Sequence, residues 1–222
     1  LISGVAFTIK SLNPKCKVYG VQSCGAPSMA NSLRDGHCET LESVSTIADG
    51  IAVKQPGDLT YDLCEKYVDE VVTVTDDEVS TAILTLMEQH KMIAEGAGAV
   101  SVAAVMFNKI DVKGKKVACL VSGGNIDVNI LSRVISRGLL KAGRSVELSI
   151  ELQDKPGQLR EVSSIIADQG ANVVAVHYDL GGEETEITAC VLNISMETRN
   201  HAHIAQIRDA LTAAGFKVSE KH

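Results

Sequence analysis

The hydrophobic pattern of this chain changes period near Arg144, and that change limits the folds open to it more than any other feature. Before Arg144, short apolar runs alternate with helical patterns, as expected of βα units around a mainly parallel sheet. After it, VELSIEL, ANVVAVHYDL and TEITACVLNIS alternate with period two, separated by amphipathic helical stretches. A chain of 222 residues then reads as two domains, 1–144 and 145–222, on a prior of roughly 100–200 residues per domain.

In the first part KVYGVQ (17–22), GIAV (50–53), EVVTV (70–74) and KVACLV (116–121) are expected strands. Asp76 to His90 is an expected helix: Asp76, Asp77 and Glu78 suit its N-terminus, and Val79, Ile83, Leu84 and Met87 recur at helical spacing. AGAVSVAAVMFNK (97–109) is apolar on nearly every side, which places it inside a domain larger than these residues build alone. A last helix runs from about Ile126 and closes over Gly138 to Arg144. The opening LISGVAFTIKSLNP reads as a helix whose preceding strand and loop are missing, without an initiator Met, so the chain is expected to be truncated.

The second part reads βαββαβ over 78 residues, a compact sheet with two helices on one face. DKPG turns into QLREVSSIIADQ, with Leu159, Val162, Ile165 and Ile166 inward; GGEE is an expected hairpin turn. HAHIAQIRDALTAAG puts Ile204, Ile207 and Leu211 on one face before a short strand, FKVSE.

Composition excludes several functions. No apolar run approaches the roughly 20 residues that cross a bilayer, and the start lacks a signal peptide's basic and cleavage regions, so a cytoplasmic protein is expected. The 15 basic and 16 acidic residues of 1–144 leave −1, and the 6 basic and 12 acidic residues of 145–222 leave −6. An acidic half without a basic stripe, and only seven aromatics with no Trp, argue against nucleic acid. Cys16, Cys24, Cys38, Cys64, Cys119 and Cys190 show no CxxC pair, so no metal site is expected. His37, His90, His177, His201 and His203 lack partners at ligand spacing and read as surface or packing residues, with His222 terminal.

Three features carry chemistry. In VACLVSGGNIDVNIL (117–131) a run ends in Ser122, Gly123, Gly124 and Asn125 before a helix, where bare backbone and a helix N-terminus suit an anionic or flat ligand. A tight turn capped by Asn125 or Asp127 reads equally well from these residues. In AEGAGAV, Glu95 sits among small residues ahead of the apolar helix, where a carboxylate is either paired or functional; a helix N-terminal charge is the plainer reading. In DKPGQL (154–159), with Asn172 opening the next strand, the turn and helix amides suit a carboxylate, and a simple βα turn is the alternative. Asp76, Asp77 and Glu78 read as a cation patch or, better, as a solvated helix start.

Read together, LISGVAFTIKSLNP, VYGVQSCGAPSM, IADGIAVKQPGDLTYDL, YVDEVVTVTDDEV, AEGAGAVSVAAV, VSGGNIDVNIL and DKPGQL resemble the threonine dehydratases (threonine ammonia-lyases). The resemblance implies an α/β protein: an incomplete tryptophan-synthase β-like domain (pyridoxal-phosphate fold type II) over 1–144, then an α+β ACT domain over 145–222. It implies pyridoxal 5'-phosphate as cofactor and α,β-elimination of L-threonine, or L-serine less well, to 2-oxobutanoate and ammonia. Leu1 matches the last residue of the family's glycine-rich phosphate loop. Ser122 matches the serine that hydrogen-bonds the pyridine nitrogen, Gly123 and Gly124 the turn beside the ring, and Glu95 a pocket carboxylate. The family's Schiff-base lysine lies in a Ser-x-x-Asn-x-Lys-like segment found nowhere here, and Lys10, Lys54 and Lys91 do not match it. This stretch is therefore expected to hold no catalytic residue and to be inactive alone. Gln22 stands where some serine racemase relatives place a metal-binding carboxylate, so no divalent ion is expected there.

By the same resemblance, ACT domains pair side by side and bind amino acids at the interface. That maps the effector onto Asp154, Lys155, Pro156, Gly157, Gln158 and Leu159, with Asn172 facing them. Isoleucine or valine is the expected effector, and a homo-oligomer the expected assembly. The competing readings are an amino-acid-binding regulatory or dimerisation module without catalysis, a serine dehydratase or racemase-like enzyme, and an ACT domain on a dehydrogenase. The last lacks a G-x-G-x-x-G turn after a strand.

Overall fold

A computed structural model describes residues 1–179 and 189–221, and the chain divides into two units, Leu1–Ile135 and Ser136–His222. The expected GGEE turn lies outside the described residues.

In the first unit, helix α1 (Ile2–Leu12) precedes strand β1 (Tyr19–Ser23), and α2 (Ser28–Asp35) and α3 (Asp58–Tyr67) precede β2 (Glu70–Val74). The two strands pair in parallel, from Tyr19 opposite Glu70 to Ser23 opposite Val74. Helix α4 (Asp76–His90) starts on a reciprocal cap: the Glu78 N–H donates to the Thr75 hydroxyl and the Thr75 N–H to the Glu78 carboxylate. Its buried stripe is Val79, Ala82, Ile83 and Leu86. Leu84 and Met87, expected inward, are only half-buried, because the stripe is centred on Ala82 and Leu86 instead.

Helix α5 (Gly96–Met106) buries Gly96, Gly98, Ala99, Val100, Ala103 and Ala104, and these pack with α4 and Val74 into one core. Side chains this small let backbones approach closely, so α5 serves as a flat inner wall. Helix α6 (Val128–Lys141) runs across the division between the units.

Two expected strands are absent among the described residues. GIAV starts instead as a 3-10 turn, Asp49–Ile51, because the Asp49 side chain takes the Gly50 N–H and the Ile51 N–H bonds Ala48. KVACLV forms no ladder; it lies along α5, with the Ser101 hydroxyl donating to the Leu120 carbonyl, and Val117 and Leu120 are exposed. Strand composition yields a strand only where a neighbouring backbone accepts its hydrogen bonds.

The second unit contains β3 (Ser145–Gln153), α7 (Gln158–Asp168), β4 (Asn172–Asp179), β5 (Ala189–Glu197), α8 (His201–Ala213) and β6 (Lys217–Glu220), the expected βαββαβ order. The strands form an antiparallel sheet in the order β4-β5-β3-β6. Val146, Leu148, Ile150 and Leu152 point inward in alternation and meet Leu192, Ile194 and Met196 of β5 and Ile204, Ile207 and Leu211 of α8. Val162 and Ile166 of α7 complete the core, whereas Leu159, expected inward, is exposed because it sits on the first turn beyond the sheet's cover. β4 departs from plain alternation: a bulge between Val173 and Ala175 shifts its register, and Val173, Val174, Val176 and Tyr178 all remain exposed.

Candidate functional site

In the first unit the structure brings two of the sequence motifs into contact. Glu95 caps α5 in an extended conformation, and its N–H donates to the Gly123 carbonyl at 3.2 Å. Its carboxylate makes no capping bond to its own helix; it accepts the Asn125 N–H at 3.2 Å. Gly123 has a φ of 101°, and a side chain there would come within 2.4 Å of the Glu95 carboxylate. A Cβ on Gly98 would fall 2.8 Å from the Ser122 carbonyl and 2.7 Å from that of Gly123. Thus AEGAG is small because α5 rests on the backbone of the SGGN turn. Among the described residues the half-buried Ser122 hydroxyl has no hydrogen-bond partner, and Gly123, Gly124 and Asn125 are exposed. The result is one open surface presenting a hydroxyl, a carboxylate and bare backbone.

Leu1 is the N-cap of α1 and is exposed; no side chain caps the first amides of that helix. The hydrogen bonds and close approaches that join Glu95 to Ser122–Asn125 do not include Leu1.

In the second unit the loop between β3 and α7 is shaped by Gly157, whose φ of 101° turns the chain into α7 and leaves the first amides of that helix without a side-chain cap. Lys155 folds back, its N–H on the Gln153 carbonyl and its ammonium on the Gln153 side chain at 2.6 Å. Asp154 accepts the Tyr178 hydroxyl at 3.0 Å, and the buried Cys190 thiol donates to that same hydroxyl at 2.9 Å. The neighbouring acidic groups Cys190 and Asp154 push the Tyr178 hydroxyl above a phenol's ordinary range, because ionising it beside them adds a further negative charge. Asn172 is not at this loop. It pairs with Glu197, which pairs with Ser145, so it lies at the opposite end of the sheet, and its amide donates to the Glu197 carboxylate at 2.9 Å. Seven residues of strand at about 3.4 Å each separate the two ends of β4.

The acidic start of α4 is neither a cation patch nor a solvated face. Glu78 belongs to the cap and pairs with Lys109, while Asp76 binds Ser23, Thr46 and Ile47. Gln22 accepts the Ala30 N–H at 2.9 Å and so caps α2. Among the described residues no group of three or more His, Cys, Asp or Glu is placed to hold a metal, and the six cysteines are free. His203 is buried, accepting the Arg199 N–H on Nδ1 and bonding the Gln169 carbonyl through Nε2. Sequence reading missed Tyr178 and the bonding of Asp76; both bind partners far along the chain, which no local pattern encodes.

Comparison with known proteins gives the same two-part division of motifs. Residues 1–123 match the family described as pyridoxal-phosphate dependent enzyme, and residues 141–214 match the ACT domain. The L-threonine ammonia-lyase of Thermotoga maritima is 51% identical over 98% of this chain and 54% of its own length. That of Geobacter sulfurreducens is 40% identical over 98% of this chain and, again, 54% of its own. The chain thus spans about half the length of the curated relatives it matches. The structure of the processed form of threonine deaminase isoform 2 from Solanum lycopersicum superposes with a TM-score of 0.57 at 37% identity, over 61% of this chain and 40% of that one.

Proposed function

The chain belongs to the pyridoxal-phosphate dependent enzymes, and on that premise we propose that it supplies the latter part of the catalytic domain and the ACT domain of a threonine ammonia-lyase. The proposed extents are 1–144 and 145–222, and the proposed reaction is deamination of L-threonine to 2-oxobutanoate and ammonia. The observation that carries it is the packing of Glu95 and Gly98 on the Ser122–Asn125 turn, so close that any side chain at Gly123 would collide with the Glu95 carboxylate. A hydroxyl donor beside bare backbone fits a flat heteroaromatic ring with one acceptor nitrogen.

When bound, pyridoxal phosphate supplies an electron sink for the negative charge left at the substrate's α-carbon. In this reading Ser122 donates its hydroxyl to the pyridine nitrogen; a neutral donor there leaves that nitrogen unprotonated and moderates the sink. Gly123 and Gly124 let the backbone lie against the ring. Glu95, fixed by Asn125, sets a negative charge at the pocket wall. Leu1 and the uncapped first turn of α1 would hold the phosphate, since a helix N-terminus favours an anion. The Schiff-base lysine and the glycines of the phosphate loop belong to the part of the relatives' length that this chain does not span.

For the ACT domain we propose an aliphatic amino-acid effector, isoleucine or valine, held by Asp154–Leu159. Its carboxylate meets the uncapped amides of α7, and its ammonium meets Asp154. Asn172 reaches that loop only from a second copy. Antiparallel pairing along β4, an edge of the described sheet, sets one copy's Asn172 end beside the other's Asp179 end. A homo-oligomer is therefore part of the proposal, as is a cytoplasmic location; no helix among the described residues is long and apolar enough to cross a membrane.

The test is direct. The longer protein containing this chain should bind pyridoxal phosphate and release 2-oxobutanoate from threonine, whereas these 222 residues alone should not turn threonine over. Absence of both cofactor uptake and turnover in the longer protein refutes the catalytic reading. Calorimetric titration with isoleucine, valine, threonine and serine, alongside sedimentation, tests the regulatory one; no heat and a monomeric mass reject it.

A further inference from the structure

Asp76 opens α4, yet its carboxylate is spent on two other segments rather than on solvent. It accepts the Ile47 N–H at 3.1 Å, the Thr46 hydroxyl at 2.5 Å and the hydroxyl of Ser23, at the end of β1, at 3.3 Å. Each partner passes the constraint on. The buried Ser23 hydroxyl accepts the Gly25 N–H, and the Thr46 hydroxyl accepts the Ala48 N–H at 3.1 Å. The Ile47 carbonyl and the Ala48 Cα then occupy the space that a Cβ on Gly96 would need, at 2.5 and 2.8 Å. Gly96 directly follows Glu95, and the same segment ends at Gly50, where a Cβ would lie 3.5 Å from the Glu95 carboxylate. The Glu95 carboxylate thus accepts the Asn125 N–H on one side and has this wall nearby, with room for about one methyl group at Gly50.

We infer that Asp76 is a positioning residue. It fixes the Thr46–Gly50 wall and, through Gly96, aims the Glu95 carboxylate at the Gly123–Asn125 turn. The aiming is a property of this chain's own contacts; only its effect on turnover rests on the function proposed above.

Backbone-amide NMR of the 222-residue chain reads the first part without cofactor. Asp76→Ala and Thr46→Val should both move the resonances of Gly123, Gly124 and Asn125, which neither residue hydrogen-bonds, while Ile83 and Leu86 inside α4 stay in place. Asp76→Asn keeps an acceptor for the Ile47 N–H and should restore most of the wild-type pattern. Shifts confined to Ser23, Thr46 and Ile47 overturn the inference. If Asp76→Ala unfolds the chain, Thr46→Val and Asp76→Asn decide by the same criterion. In the longer enzyme, Asp76→Ala should lower kcat/KM for threonine about 10²-fold, the loss expected of a small misplacement. In a Glu95→Gln background the same change should lower it less than about threefold, because the effect runs through Glu95. Equal losses in both backgrounds overturn the coupling. Should the longer protein neither bind cofactor nor act on threonine while Asn125 still answers to Asp76, the proposed function fails and the positioning role stands.

Discussion

Gly123 is the residue on which the site has least latitude. Its positive φ costs any other residue about 1–2 kcal/mol, and a methyl group there meets the Glu95 carboxylate. Gly123→Ala should therefore destabilise residues 1–135 by about 1–3 kcal/mol in denaturant titration and weaken cofactor binding by the longer enzyme. Ser122→Ala removes only the hydroxyl, so it should leave stability within about 0.5 kcal/mol of wild type while altering the bound cofactor's absorption spectrum. At Tyr178 the sign of the pH dependence is fixed by the raised phenol. Its proton is held more firmly folded than unfolded, so the stabilisation is complete below the ordinary value of 10.0 and is lost as pH rises through the folded value. Thermal melts of wild type against Tyr178→Phe above pH 10 should show the wild type falling and the variant flat across that contribution. Ser122, Gly123 and Glu95 were legible in the sequence because glycine pairs and isolated carboxylates stand out locally. Tyr178 was not, since its partners Asp154 and Cys190 meet it only after β4 and β5 pair.

Among the elements, α4 shows what sequence expresses best. Thr75 followed three residues later by Glu78 is a capping signature, and the helix bounds follow from it. Thr75→Ala should cost about 1 kcal/mol, measured by chemical denaturation. Burial opposes ionisation of Glu78, but the Thr75 N–H and the Lys109 ammonium outweigh it and hold the carboxyl below its ordinary 4.5. Its contribution is thus present above that value and fades as pH falls through the folded one. KVACLV shows what sequence expresses worst. Its composition is that of a strand, yet pairing depends on a neighbour, and what the Leu120 carbonyl meets is the Ser101 side chain of α5. Whether a run of β-formers joins a sheet is decided outside the run.

The two units hold cores of different make. One is rich in Ala, with Val, Ile and Leu around α4 and α5, and the other is built mainly of Leu, Ile, Val and Met between sheet and helices. Leu192→Ala should cost about 2–5 kcal/mol and accelerate amide exchange in β3, β5 and β6. The aliphatic core was readable because its alternation is strong, and the inner position of 97–109 because it is apolar on nearly every side; the close approach of α5 to the Ser122–Asn125 backbone was not, since no local pattern encodes it. That close approach has a consequence for how such a chain can vary. At Gly96 and Gly98, where the wall is main chain, any larger residue collides with the backbone facing it and no residue is smaller. Change in what the pocket accepts is then channelled to the segments facing α5, the Thr46–Gly50 run and the Ser122–Asn125 turn, so the helix is a fixed datum against which those loops are free to diverge.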